Sequence, residues 1–145
     1  MIENIELLQF IYENAEMGKY TTTLLLNILK EKENKIKGLL QTEIKEYEKH
    51  MAYALKMLKK YKEKAQGTSQ MSKISSKIGI NLETIKDNSD SALAQMIVQG
   101  LTMGSTSLTS KINKYEGVAD RKILKIAKDY LKYLKVEIDR LSKYM

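Results

Sequence analysis

Not one proline interrupts the 145 residues, and this limits what the chain can become more than any other feature. Proline removes a backbone donor and clashes with the preceding turn. Without it, and with Lys, Glu, Leu and Ile abundant and only seven Gly, nothing inside a long segment stops helical hydrogen bonding. The chain is expected to be all-α. Its length fits one domain, whose core can remove roughly 68–70% of the unfolded surface from water, so neither a disulfide nor a structural metal is required. The lack of Cys excludes thiol nucleophiles, iron–sulfur ligation and Cys-based zinc sites, and it fits a reducing, cytoplasmic setting. Glu3 and Glu6 break up the first apolar stretch, and no basic segment precedes it, so no secretory signal is read at the start.

Apolar spacing divides the chain. Ile5, Leu8, Ile11, Ala15, Gly18, Thr22, Leu25 and Leu29 step by threes and fours, which predicts a helix over about 2–30. The polar run from Lys30 to Lys35 interrupts this stripe, with Asn34 as a cap for the next helix. Ile36, Leu40, Ile44, Tyr47, Met51, Ala54 and Leu58 then predict a helix over 35–64. A shorter amphipathic piece over 70–86 carries Met71, Ile74, Ile78, Leu82 and Ile85. Asp87-Asn88-Ser89-Asp90 caps a helix over 90–115, and Gly117 with Asp120 turns the chain into a last helix over 121–143.

Two hairpins of long helices, joined by a connection with a helix of its own, describe a four-helix bundle with one crossover and a short fifth helix. The alternative is an unbroken rod through the first two segments, about 95 Å long at 1.5 Å per residue, which would need a coiled-coil partner. Folding about residues 32–33 sets residue i of the first helix level with about 65−i of the second. Ala15–Thr21 echoes Leu101–Ser107 at an offset of 86, and the pattern after Ile36 echoes that after Ile123 at 87. The two hairpins read either as related repeats or as independent hairpins of similar period.

From Ser91 to Ser110 there are 20 consecutive residues without a charge. Ser, Thr and Gln fill nearly half of that stretch, which argues against a membrane span. A helix with no charged face is expected to be enclosed, by its own bundle or by a second protomer. Gln95, Gly100, Thr102, Gly104, Thr106 and Thr109 are the expected interface, the two glycines permitting close backbone approach. A homodimer or another protein is the partner this implies.

Candidate chemistry is confined to a few side chains. The 65−i register sets Glu13 and Glu16 opposite the only His, His50, while Glu46 lies one turn before it. The internal alignment equates His50 with Glu137 and Glu13 with Gln99, so one polar layer can form. Carboxylates and an imidazole converging from different helices are what a metal site requires.

Through its two-hairpin layout and through Glu13 or Glu16, Glu46 and His50, the sequence resembles the ferritin-like and rubrerythrin-like superfamily. That resemblance implies iron oxidation or storage, or peroxide reduction, at a centre built from a Glu on two helices and Glu-x-x-His on two others. Here Tyr47 stands three before His50, Arg140 stands three after Glu137, and the third long helix offers Gln95 and Gln99. A complete di-iron centre is not expected. The set Glu13, Glu16, Glu46, His50 and Glu137 remains as a reduced site for iron, manganese or zinc, and a metal-binding or redox bundle is the alternative reading. The structural readings set beside it are a boundary role for His50, a solvated face for Glu13 and Glu16 near Lys19, and a hydrogen bond accepted by Glu137 from Tyr12 or Tyr47.

The formal charge is +7, from 25 Lys and Arg against 18 acids. Arg121 and Arg140 are the only arginines, so the planar forks that read bases are nearly missing. The lysines can still attract nucleic acid or an anionic surface without reading sequence, and an immunity-type bundle also fits this size and charge. No phosphate loop, dinucleotide fingerprint, His-Glu-x-x-His or EF-hand loop occurs. The sequence therefore reads as a non-enzymatic, self-associating helical bundle needing no cofactor.

Overall fold

A computed structural model describes residues 1–66 and 86–145. Among them lie four helices, α1 (Ile2–Ile28), α2 (Lys37–Lys60), α3 (Asp90–Tyr115) and α4 (Arg121–Ser142), and no strand. The short helix expected over 70–86 falls almost wholly outside the described residues. The rod is excluded, since α1 ends at Ile28 and the chain turns through Leu29–Ile36.

Helix directions follow from the contacts between their ends. Asn4 donates to the Tyr61 hydroxyl at 3.2 Å, and the Tyr47 ring lies over Gly18, so α1 and α2 are antiparallel on the expected 65−i register. Asn4 also accepts from the Asp120 amide at 2.8 Å, and Asn14 accepts from the Tyr130 hydroxyl at 2.6 Å. Both pairs are 116 residues apart, which makes α1 and α4 parallel. Lys111 reaches Glu6 at 3.1 Å while Gly104 meets Asn14, so α3 runs against α1. The order is up, down, down, up. Residues 61–89 accordingly link opposite ends of a bundle about 36 Å long, from 24 residues of α2 at 1.5 Å each.

The core is one apolar column that includes Leu7, Leu8 and Ile11 of α1, Leu40 and Leu58 of α2, Leu93 and Leu108 of α3, and Ile123, Leu134 and Leu141 of α4. The expected stripes of α1 and α2 supply most of their share, with Leu7 and Met57 buried off them. Each fully buried Leu or Ile contributes roughly 1.5–3 kcal/mol relative to exposure, so this column dominates stability.

The helix ends are held by contacts that no local pattern announces. Asn34 does not cap α2, whose N-cap is Ile36 without a side-chain bond. Instead, Asn34 donates to the Asn88 carbonyl at 2.8 Å and to Asp90 at 3.0 Å. The Asp90 carboxylate accepts the amides of Lys35 at 3.1 Å and Ile36 at 3.4 Å, so the acid opening α3 also serves the free donors at the start of α2. Ser89 caps α3 as expected, accepting from the Ala92 amide at 3.2 Å. At the other end, Lys62 takes φ 58°, in the left-handed region, and α2 stops at Lys60 rather than continuing to 64. Gln9 then fixes the departing chain, donating to the Lys64 carbonyl at 2.7 Å and accepting from the Gln66 amide at 3.0 Å.

Candidate functional site

Between α2 and α4 the seam is polar. His50 packs on Tyr130 and Tyr133, with ring centroids 4.9 and 5.0 Å apart, and Tyr47 meets Tyr133 edge-on at 5.6 Å. His50 with Tyr130 and Tyr47 with Tyr133 follow one antiparallel register, 180−i, and the next pair along it is Glu43 with Glu137. Glu43 is 0% exposed and Glu137 is 1% exposed. Arg140 donates to Glu137 Oε1 at 2.9 Å with its own side chain half in solvent. Both carboxyl oxygens of Glu43, Oε2 of Glu137 and the hydroxyl of Tyr133 are buried with no hydrogen-bond partner among the described residues.

The electrostatics follow from this enclosure. Burial pushes the Glu43 carboxyl up to about 9, and the adjacent Glu137 adds to the shift while Arg140 opposes it. The Tyr47 and Tyr133 hydroxyls are raised for the same reasons, burial first and then the neighbouring acids. Burial lowers His50, which favours the neutral imidazole between the tyrosines; the charges within its reach are Glu46, Lys49 and Asp129.

The five residues expected to form a metal site are not brought together. Glu13 and Glu16 are half-buried on α1, where Glu13 faces Glu16 and Lys111; burial and then Glu16 raise the Glu13 carboxyl. Lys19 leaves that pair and reaches Glu48 at 3.9 Å. Glu46 stays half-buried beside His50, and Glu137 is taken by Arg140 rather than by Tyr12 or Tyr47. Among the described residues no group of three or more His, Asp or Glu side chains is placed to hold a metal ion. The donor set therefore does not fit the two-metal centre that the family resemblance implies.

Glu43 is the residue that the apolar stripe missed. Its signal lay in a stricter alternation of fours and threes, Ile36, Leu40, Glu43, Tyr47, His50, Ala54 and Met57, matched in α4 by Ile123, Ala127, Tyr130, Leu134, Glu137 and Leu141. In each series one carboxyl occupies a seam position. The offset of 87 maps Glu43 onto Tyr130 and His50 onto Glu137, so the acid pair and the His50–Tyr130 pair are equivalent across the two hairpins.

The uncharged helix behaves differently from expectation. One side of α3 is buried through Leu93, Ala94, Leu101, Ser105, Leu108 and Ile112. Its other side is open, and of the expected interface residues Gln95, Gly100, Thr102 and Thr106 are exposed. Thr109 is half-buried and donates to the Ser105 carbonyl at 2.8 Å. Gly104 is a correction: its close approach is made within the chain, since a β-carbon there would sit 2.8 Å from Nδ2 of Asn14. Gly18, its counterpart at offset 86, is likewise closed, by Cε1 and Cε2 of Tyr47 at 2.7 and 2.8 Å from such a β-carbon. Met103 stands 73% exposed on the open side.

Among the described residues no helix is long and apolar enough to cross a membrane. Comparison with known proteins finds no family model, no curated protein and no solved structure that matches the chain.

Proposed function

We propose that this chain is a non-enzymatic bundle of ferritin-like architecture, without a complete di-iron centre, that associates with a second copy of itself through the outer face of α3. The observation that carries this reading is a surface without charge on a strongly charged chain. Gln95, Gln99, Thr102, Met103, Thr106, Ser107 and Ser110 are all exposed, and no charge falls between Ser91 and Ser110.

Two copies at +7 each repel through most of their surfaces, and a neutral face is where their approach costs least. Around Gly100 nothing lies within 4 Å of the β-carbon position, so a second backbone can come close there. Met103, unbranched and adaptable, fills the space such a contact leaves. An isologous pairing of α3 on α3 buries the same residues from both sides and closes as a dimer. The up-down-down-up order with one long connection supports the architectural half of the reading.

Sedimentation velocity of the wild type and of Met103→Lys tests it. The wild type is expected to run as a dimer that tightens as salt screens the repulsion. Met103→Lys is expected to run as a monomer with the wild-type helical content. A wild type that stays monomeric at high concentration and high salt would overturn the proposal.

A further inference from the structure

Charge counting in the seam between the hairpins leaves one unit unassigned. Two carboxyls, Glu43 of α2 and Glu137 of α4, are enclosed at the same level, and among the described residues one cation, the guanidinium of Arg140, answers them. The other described helices at this level add none: α1 contributes the buried Thr22, and α3 carries no charge from Ser91 to Ser110. The remaining titratable neighbours are Tyr47 and Tyr133, whose hydroxyls burial keeps protonated, and Glu46 near Tyr133. Two ionised carboxylates can only accept hydrogen bonds, which is why three of their four oxygens stand unpartnered. A proton on one of them turns the contact into an O–H···O⁻ bond and balances Arg140 against a single negative charge.

We propose that Glu43 and Glu137 form a buried binding site for one proton, held between the two hairpins. Glu43 carries the proton and donates it to Glu137, and Glu137 answers Arg140. The proton is a ligand of the folded state alone, because in the unfolded chain Glu43 is an ordinary solvated acid. Its contribution is therefore fully present below the usual carboxylate range, declines as pH rises above that range, and is gone above about pH 9. The site ties α2 to α4, so losing the proton loosens one hairpin from the other rather than either hairpin within itself.

The test is a pH titration of the wild type labelled with ¹³C at the glutamate side-chain carboxyl, read by NMR, alongside melting curves from pH 5 to pH 10. One glutamate signal is expected to titrate several pH units above the others, and that signal disappears in Glu43→Gln. Glu43→Gln is also expected to melt about 5–10 °C higher than the wild type at pH 8 and to lose most of the pH dependence above pH 5. If every glutamate titrates in the ordinary range, the proposal fails on the wild type alone, whatever the variant does. If stoichiometric Mn²⁺ or Zn²⁺ raises the melting temperature of the wild type but not of Glu43→Gln, the site belongs to a cation and the proposal is overturned.

Discussion

The seam between α2 and α4 and the outer face of α3 reverse the usual distribution of polarity. The helices richest in charge turn Glu43 and Glu137 inward, while the helix with a charge-free stretch of 20 residues presents glutamines, threonines and Met103 to solvent. Position in the packing explains both. On α2 and α4 a strict alternation of fours and threes keeps one side of each helix in the seam whatever residue occupies the step, and neighbouring aromatic rings then seal the acids from water. On α3 the apolar residues cover only the side toward α1 and α4, and nothing in the chain's other described residues covers the rest. Buried charge in one region and exposed neutrality in the other are both costly to an isolated bundle, the first through desolvation and the second through poor solubility. Each points to an occupant, a proton in the seam and a second copy on the face.

The sharpest way to separate the two regions is to truncate a large side chain in each. Tyr47→Ala removes the ring wedged between Gly18 and Tyr133 and is expected to cost about 4 kcal/mol in chemical denaturation. Met103→Ala should leave the monomer within about 0.5 kcal/mol and weaken only association. The glycines extend the contrast on a smaller scale. Gly18→Leu is expected to destabilise by about 3 kcal/mol, since its side chain must displace Tyr47. Gly100→Ala, in open space on a helix, should stabilise the monomer by up to about 1 kcal/mol. A neutral Gly18→Leu would mean that the seam is loosely packed.

Hydrogen bonding gives a weaker probe. Tyr130→Phe leaves Asn14 Oδ1 without its donor at the meeting of α1 and α4, and about 1–2 kcal/mol should be lost. Smallest is the effect of His50. Because burial holds its folded value below 6.5, the unfolded chain takes up the proton first, so stability falls as pH drops below about 6.5. His50→Phe should remove that acid-side slope, read as the loss of the melting-temperature difference between pH 7 and pH 5.

Much of this architecture was legible in the residues. The steps of three and four along Leu8, Ile11, Ala15 and Leu25 named buried positions of α1, and the 65−i register anticipated the meetings of Asn4 with Tyr61 and of Gly18 with Tyr47. What escaped was non-local or charged. Asp90 serves α2 from 54 and 55 residues away, a relation that no window of sequence contains. Glu43 escaped because an apolar stripe does not count a carboxylate, although the four-three alternation on either side of it marked a seam position. For Gly104 the spacing showed that something must come close and gave no means of telling a neighbouring helix from a neighbouring chain. The metal candidates failed on direction: the register sets Glu13 level with His50, but its side chain faces Lys111 of α3.

The claim that the open side of α3 is an assembly surface can be tested without disturbing the seam, because the chain has no cysteine of its own. Thr106→Cys carrying a nitroxide label, measured by pulsed dipolar spectroscopy, should show coupling between two labels across a dimer at a short, well-defined distance. That coupling should vanish on dilution with excess unlabelled protein. A signal at full protein concentration containing no intermolecular dipolar component would contradict the account.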